Sequence, residues 1–369
     1  MSELGMIYAY WQLTPFTTQG SGTAQWCQGE RDGNLYFIKE FLSPTLPPEG
    51  ADMNQPMNQA RRDACIRFYK HMRRLYGTLQ SVNNGCLICP DGDEELFVHD
   101  GHYCAVSPFI TPDIPPESIC TLTPWERIVL ARTLVLSLSA VHDAGIVHSD
   151  IKLDNLMVTR NVTGACNLKL IDFDSGFFTD DPPLSPETLH GDFAYLAPET
   201  LMFMVEEPVP LTAKLDVFAL GLVLHQMWCG AFPAYPTPDF RCVGEAILEN
   251  APVTLDASLP ESLADIIVQM LAVDPNARPT LAEVYQQLET VMAELDGTSL
   301  APSSQEGSEA MPYEEPYQEA YEDQVQEQVP VAPAPRIPRR KDRSGWVIGI
   351  AAAVLILSAL VISLLILKG

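Results

Sequence analysis

The stretch Ile146-Val-His-Ser-Asp-Ile-Lys-Leu-Asp-Asn-Leu-Met-Val158 decides how this chain is read. Two short apolar runs bracket His148, Asp150, Lys152 and Asn155, which puts these polar groups on a loop held between buried segments. Upstream, apolar residues at Ile128, Leu130, Leu134, Leu136, Leu138 and Val141 predict a long amphipathic helix from Pro124, stopped at Asp143-Ala-Gly145. Downstream, Leu168-Lys-Leu-Ile-Asp-Phe-Asp174 predicts a second strand ending in Asp172. Two carboxylates, a Lys and an Asn at the ends of adjacent strands suit divalent-metal and phosphate chemistry.

The preceding residues, Trp11 to Phe41, hold three apolar-aromatic runs separated by a Gly-rich turn and by Arg31-Asp-Gly-Asn34, the pattern of a three-stranded antiparallel meander. The first turn is Gly20-Ser21-Gly22-Thr23, where glycines let backbone N–H groups approach phosphate oxygens, and Lys39 on the third run is placed to pair with them. The same residues also suit an ordinary tight turn and a solvated strand lysine. Helical spacing of Cys65, Phe68, Tyr69, Met72, Leu75 and Tyr76 predicts a helix over 60–79. Strand-like runs follow at Cys86 to Cys89 and Tyr103 to Ile110, completing a small α+β lobe, and the prolines of 107–112 mark a connector.

These motifs, in this order, resemble the eukaryotic-type (Hanks-type) serine/threonine protein kinase family. His148-Ser-Asp-Ile-Lys-Leu-Asp-Asn155 is similar to its catalytic loop, Ile171-Asp-Phe-Asp174 to its metal-binding motif, and Ala197-Pro-Glu199 to the end of its activation segment. Leu215-Asp-Val-Phe-Ala-Leu-Gly221 resembles the start of the large helix of its second lobe, and Asn276-Ala-Arg-Pro279 lies near the end of the resemblance, which spans 11–293. It implies a bilobal α+β fold, with a β-rich N-lobe over 11–110 and a helical C-lobe over 111–293. It also implies ATP and Mg2+ as cofactors and proteins as substrates.

Carried over by position, Asp150 would orient or accept the substrate hydroxyl proton, and Lys152 would stabilise the transferring phosphoryl group. Lys152, two residues after Asp150, is the serine/threonine pattern. Gly20, Ser21, Gly22, Thr23 and Lys39 would bind the nucleotide, Asn155 and Asp172 the metal, while Glu199, Asp216 and Arg278 would be structural. Several positions depart from the family. The 60–79 helix has no Glu to pair with Lys39, and Asp63 is a turn or more from the aligned position near Tyr69. Ser149 replaces the usual Arg, Asp174 the usual Gly, Gln25 the third loop Gly, and Phe37 a small adenine-packing Ala. These departures keep open a second reading, a pseudokinase-like membrane scaffold that binds partners or nucleotide without transfer.

Charge divides the remainder. The 369 residues carry 22 Lys+Arg against 48 Asp+Glu, a net charge of −26 that excludes a nonspecific nucleic-acid binder. Residues 296–335 hold nine acids and no Lys or Arg in a Pro-, Glu- and Gln-rich run, composed as a disordered linker. Its tyrosines at 313, 317 and 321 recur every four residues, either as low-complexity drift or as a docking or phosphorylation segment. A basic juxtamembrane segment over 336–345 precedes Trp346 to Leu367, 22 residues without a charge and about 33 Å long as a helix. That predicts a single-pass anchor in the cell membrane with the N-terminal domain cytoplasmic, as the basic flank requires, and substrates near the bilayer. The whole arrangement resembles a bacterial membrane-anchored family member. Gly345, Gly349 and Ala353 are compatible with a homodimer, although small residues are common in any membrane helix. Nine cysteines, an odd number without dense spacing, suit a reducing compartment, and the Cys86/Cys89 pair reads as strand packing rather than metal or redox chemistry.

Overall fold

The computed structural model describes residues 5–18, 24–90 and 96–296. The turn at Gly20, Ser21, Gly22 and Thr23 lies outside them, as do nearly all of the acidic 296–335 run, the basic segment, the 346–367 span and the Gly345/Gly349/Ala353 stripe. Among the described residues no helix is long and apolar enough to cross a membrane.

The N-terminal part is an antiparallel sheet: β1 (Met6–Ile7), β2 (Tyr10–Gln12), β3 (Thr17–Thr18), β4 (Ala24–Arg31), β5 (Asn34–Phe41), β6 (Leu96–His99) and β7 (His102–Pro108). Its order is β1-β2-β4-β5-β7-β6, with β3 on β4 beside β2. The first run of the expected meander is thus in two pieces, β2 and β3, with Pro15 in the gap between them, where it would remove a ladder donor. The two faces of β5 separate cleanly, as a period of two requires. Ile38 packs into a small cluster with Ile7, Tyr10, Cys27, Cys104 and Val106, while Phe41 joins the main core.

The helix expected over 60–79 runs longer, as α1 (Pro56–Val82), and buries Cys65, Met72, Leu75, Tyr76 and Leu79. The strand expected at Cys86 to Cys89 is corrected. Leu87 makes only an isolated bridge to Leu170, and the partner of β7 is β6, whose register pairs Leu96 with Ala105 and His99 with His102. An apolar dipeptide between Asn- and Asp-rich turns looks like a strand locally, but only a tertiary partner decides whether a ladder forms. Neither Cys86 nor Cys89 is in a disulfide.

The C-terminal part is helical: α2 (Pro124–Asp143), α3 (Pro198–Met204), α4 (Lys214–Cys229), α5 (Val243–Leu248), α6 (Glu261–Met270) and α7 (Leu281–Leu295). Helix α4 is buried from Leu215 to Trp228, so it is apolar all round rather than striped. Gly145 takes φ +75° just beyond α2, a left-handed turn that a side chain would oppose, and it redirects the chain into β8 (Ile146–Val147). Two further short sheets follow, β9 (Leu156–Arg160) with β10 (Cys166–Leu170), and β8 with β11 (Phe177–Phe178).

Glu199 and Arg278 tie α3 to the segment before α7. The guanidinium meets both carboxylate oxygens at 2.6 and 2.7 Å, and its remaining donors reach the carbonyls of Ala272 and Lys214 at 2.9 and 2.8 Å. Both side chains are buried, so neither can find water if its partner is lost. Arg278→Ala is expected to lower unfolding free energy by about 3–5 kcal/mol in a urea titration, because it strands a buried carboxylate.

Helix α2 begins with a reciprocal cap, in which Thr123 Oγ1 accepts from the Glu126 N–H and Glu126 accepts from the Thr123 N–H. The Thr123 hydroxyl, donating to the Glu126 carboxylate at 2.8 Å, then the Thr123 N–H and Arg160 hold that carboxyl down at about 2 against an ordinary 4.5. A depressed carboxylate contributes stability above its unfolded value and loses it as the pH falls. Thr123→Ala should therefore cost about 1 kcal/mol at neutral pH, and the gap to the parent should narrow between about pH 4.5 and 2 in denaturant titrations, leaving the share owed to the lost Oγ1 acceptor of the Glu126 N–H.

Candidate active site

The site forms where the two short sheets meet. Strand β8 delivers His148 to Asp150; a tight turn at Leu153–Asn155 follows, and β9 leads away. Antiparallel β10 returns the chain, with Leu170 opposite Leu156, so the next residues, 171–174, arrive beside the loop just left. Strand β11 then pairs with β8 through Phe177 and Val147, closing 171–176 against the loop from its other side. The Ile171 N–H donates to the Asn155 carbonyl at 3.0 Å, and the His148 ring nitrogen Nε2 lies 3.1 Å from the Ile171 carbonyl.

Asp216, at the start of α4 and fully buried, sets the loop's shape. Its two oxygens accept the backbone N–H groups of His148 and Ser149 at 2.7 and 2.8 Å, and His142 Nε2 lies 2.9 Å away. Ser149 adopts φ +67°, a left-handed conformation that is costly outside glycine, and the paired N–H bonds offset that cost. The side chain therefore fixes the direction in which Asp150 leaves the backbone.

Asp150 is nearly saturated with donors. Its Oδ2 accepts from Lys152 Nζ at 2.7 Å and from Asn155 Nδ2 at 3.0 Å, while Oδ1 accepts from the Asp192 N–H at 2.9 Å. The last contact brings in the segment before α3, which the motif reading did not anticipate. Gly191 permits it, since a Cβ there would stand 2.9 Å from the Ser149 carbonyl oxygen. Both amide hydrogens of Asn155 go to Asp150, one to its backbone and one to its carboxylate, which leaves the Asn155 side-chain oxygen as the atom available to a cation.

Lys39 reaches from β5 across to the 171–174 loop. Its ammonium lies 2.8 Å from Asp172 Oδ1 and 2.6 Å from Asp174 Oδ2. Burial alone would lower the Lys39 value, but Asp174 and Asp172 outweigh it and hold the ammonium above its ordinary range. Burial likewise opposes ionisation of Asp172, yet Lys39, with His148 and Lys152 nearby, keeps this carboxyl below its ordinary value. Two carboxylates and a lysine thus share one half-buried cluster. Asp172 takes φ +62°, as an Asp tolerates better than most residues.

Magnesium fits this donor set. Asp172 and the Asn155 oxygen are hard ligands, and such an ion is commonly held by one or two carboxylates together with substrate phosphates. Among the described residues no group of three or more His, Cys, Asp or Glu side chains is placed to hold a metal without such help. Above the cluster, Phe37 stacks on Trp26 with ring centroids 5.1 Å apart. Both share the sheet face of Lys39, since Trp26 pairs directly with Lys39 and Phe37 lies two residues away, so an aromatic pair roofs the cleft.

Helix α1 contributes no carboxylate to Lys39. Its contacts run instead to the loop and the segment beyond: His71 Nε2 lies 2.9 Å from the Gly176 carbonyl, the Tyr76 hydroxyl donates to Asp174 Oδ1 at 2.6 Å, and Arg74 pairs with Asp180 at 2.8 Å.

The protein kinase domain model matches residues 109–288. A probable serine/threonine-protein kinase of Dictyostelium discoideum is 28% identical over 282 residues, covering 74% of this chain and 23% of its own length. A probable serine/threonine-protein kinase of Saccharomyces cerevisiae is 26% identical over 292 residues, covering 73% and 43% respectively. The chain thus spans less than half the length of either relative. The crystal structure of Rad53 in complex with AMP-PNP superposes with a TM-score of 0.53 at 18% identity, over 76% of this chain and 64% of that one, and so shares the fold. Residues 109–288 thus carry the protein kinase domain signature, and these likenesses support a Hanks-type serine/threonine kinase.

Asp216→Asn places an NH2 group against one of two buried backbone donors. An expected loss of about 1–3 kcal/mol follows from that unpaired N–H, measurable as a lower urea midpoint with an unchanged slope.

Proposed function

We propose that the chain transfers the γ-phosphoryl group of ATP to Ser and Thr hydroxyls of proteins, with Asp150 as catalytic base. The observation that carries this reading is the convergence of Asp150, Lys152, Asn155 and Asp172 on one loop junction, with Lys39 reaching it from the sheet. Bound ATP and Mg2+ would supply the phosphoryl group and neutralise its developing charge. In this chain Asp150 orients the incoming hydroxyl and takes up its proton as the new O–P bond forms and the bond to ADP breaks. Lys152, now on Asp150, is near enough to exchange that contact for the transferring oxygens. Such positioning and electrostatics account for most of the catalysis when the transition state is loose.

The uncharged span 346–367 supports a membrane-anchored enzyme, with the basic 336–345 segment on the side of the catalytic domain. Its substrates would then be proteins close to the bilayer. The net charge of −22 on residues 1–295 opposes close approach to anionic lipid.

Radiolabelled ATP with a generic protein acceptor tests the chemistry. Asp150→Asn is expected to cut transfer by about 10²–10⁴-fold while nucleotide binding persists. Nucleotide binding by the parent chain without transfer would favour the scaffold reading instead. In cell fractionation the full chain should sediment with membranes and a chain ending at Pro335 should not; a soluble full chain would overturn the anchor.

A further inference from the structure

We propose that Asp174 is a positioning residue for Lys39, substituting from the metal-binding loop for the helix carboxylate that this chain lacks, with Tyr76 tethering it to α1. The inference deepens the phosphotransferase reading and rests on it. Three observations lead to it.

The ammonium of Lys39 is closer to Asp174, at 2.6 Å, than to Asp172, at 2.8 Å. Asp172 belongs to the donor set that would face a cation, so its contact with Lys39 is the one a bound ion would compete for. Asp174 is under no such competition and can remain the lysine's partner throughout.

Both Asp174 oxygens are also committed. Oδ2 accepts from Lys39 and Oδ1 accepts from the Tyr76 hydroxyl at 2.6 Å, from a side chain only 5% exposed. Charge-assisted bonds of this kind are short and directional, and a carboxylate held at both ends is poorly placed to turn toward a metal.

Finally, α1 offers no alternative. Its buried residues are Cys65, Met72, Leu75, Tyr76 and Leu79, none of them acidic, and its single carboxylate, Asp63, is exposed. The one polar group that the buried face of α1 sends to the cluster is the Tyr76 hydroxyl, and it ends on Asp174. A half-buried ammonium that must meet phosphate oxygens needs a fixed counter-charge to hold its direction, and Asp174 is the side chain that meets this need.

The test uses the full chain, a fluorescent ATP analogue and separate titrations of nucleotide at saturating Mg2+ and of Mg2+ at fixed nucleotide. Asp174→Asn is expected to weaken nucleotide binding, and to raise KM for ATP, by about tenfold or more, the worth of one charge-assisted hydrogen bond. Its Mg2+ half-saturation should stay unchanged, and Asp174→Glu should recover most of the affinity. Tyr76→Phe should weaken binding by a smaller factor and add nothing in the Asp174→Asn background. Unchanged nucleotide affinity in Asp174→Asn, or a shifted Mg2+ requirement in its place, would overturn the proposal and make Asp174 a bystander or a metal ligand. If Asp174→Asn does not fold, Asp174→Glu and Tyr76→Phe decide the matter by the same readings. A parent chain that binds nucleotide without transfer overturns the phosphotransferase reading and leaves this one standing.

Discussion

The loop that carries Asp150 depends on one buried carboxylate. Asp216 lies at the start of a helix whose other residues are almost all buried, and it spends both oxygens on consecutive backbone N–H groups of a loop 67 and 68 residues earlier in the chain. Without it, Ser149 would hold a left-handed backbone with nothing to offset the strain, and the direction of Asp150 would be set only by weaker side-chain contacts. The position also explains why α4 is buried on every side. A helix that carries the anchor of the loop must itself be immobile, and packing against α6, whose Met270 approaches Gly221, holds it there.

Around that anchor, two small sheets achieve what one large sheet does elsewhere. The β9–β10 hairpin returns the chain to its starting point, and the β8–β11 pair prevents the 171–176 loop from swinging away. Each pairing is short and would be marginal alone. Together they enclose a loop whose two strained residues, Ser149 and Asp172, both belong to the site. Strain of this kind persists only where surrounding structure over-determines it, and here it is trapped between ladders.

Local features made part of this legible in the sequence. The residues from His148 to Asn155 are contiguous, and α1 and α2 have helical periodicity, so their order and type can be read without knowing what they touch. The anchor pairs were legible only through resemblance, because nothing in the spacing of Glu199 and Arg278 predicts a buried ion pair. What stayed hidden depends on tertiary distance. Asp174 read only as a departure from the usual Gly, since its partners are 135 residues upstream in the case of Lys39 and 98 in that of Tyr76. The run Cys86 to Cys89 mimicked a strand because strand character is a property of the neighbour as much as of the sequence. The contact from Asp192 to Asp150 runs through a backbone N–H, which no residue type announces.

Placing the lysine's counter-charge on the loop rather than on the helix changes what can switch the site. Where a helix carboxylate holds the lysine, moving the helix breaks the pair, and regulation can act through that motion. Here the ion pair joins a sheet strand to the 171–174 loop, so α1 can shift without taking the carboxylate with it, at the cost of one hydroxyl bond from Tyr76. The outer contact of α1, Arg74 with Asp180, joins two exposed side chains, and exposed pairs are worth little. The inner face, by contrast, buries Cys65, Met72, Leu75 and Leu79 in the main core, where the free energy is far larger. Helix α1 is therefore held by apolar packing that does not respond to a charge added nearby. Ser149, where the resemblance leads one to expect Arg, brings no cation to the loop through which such a charge could be read. The carboxylate at 174 and the serine at 149 point the same way, toward a site whose geometry is set by folding rather than by a later modification.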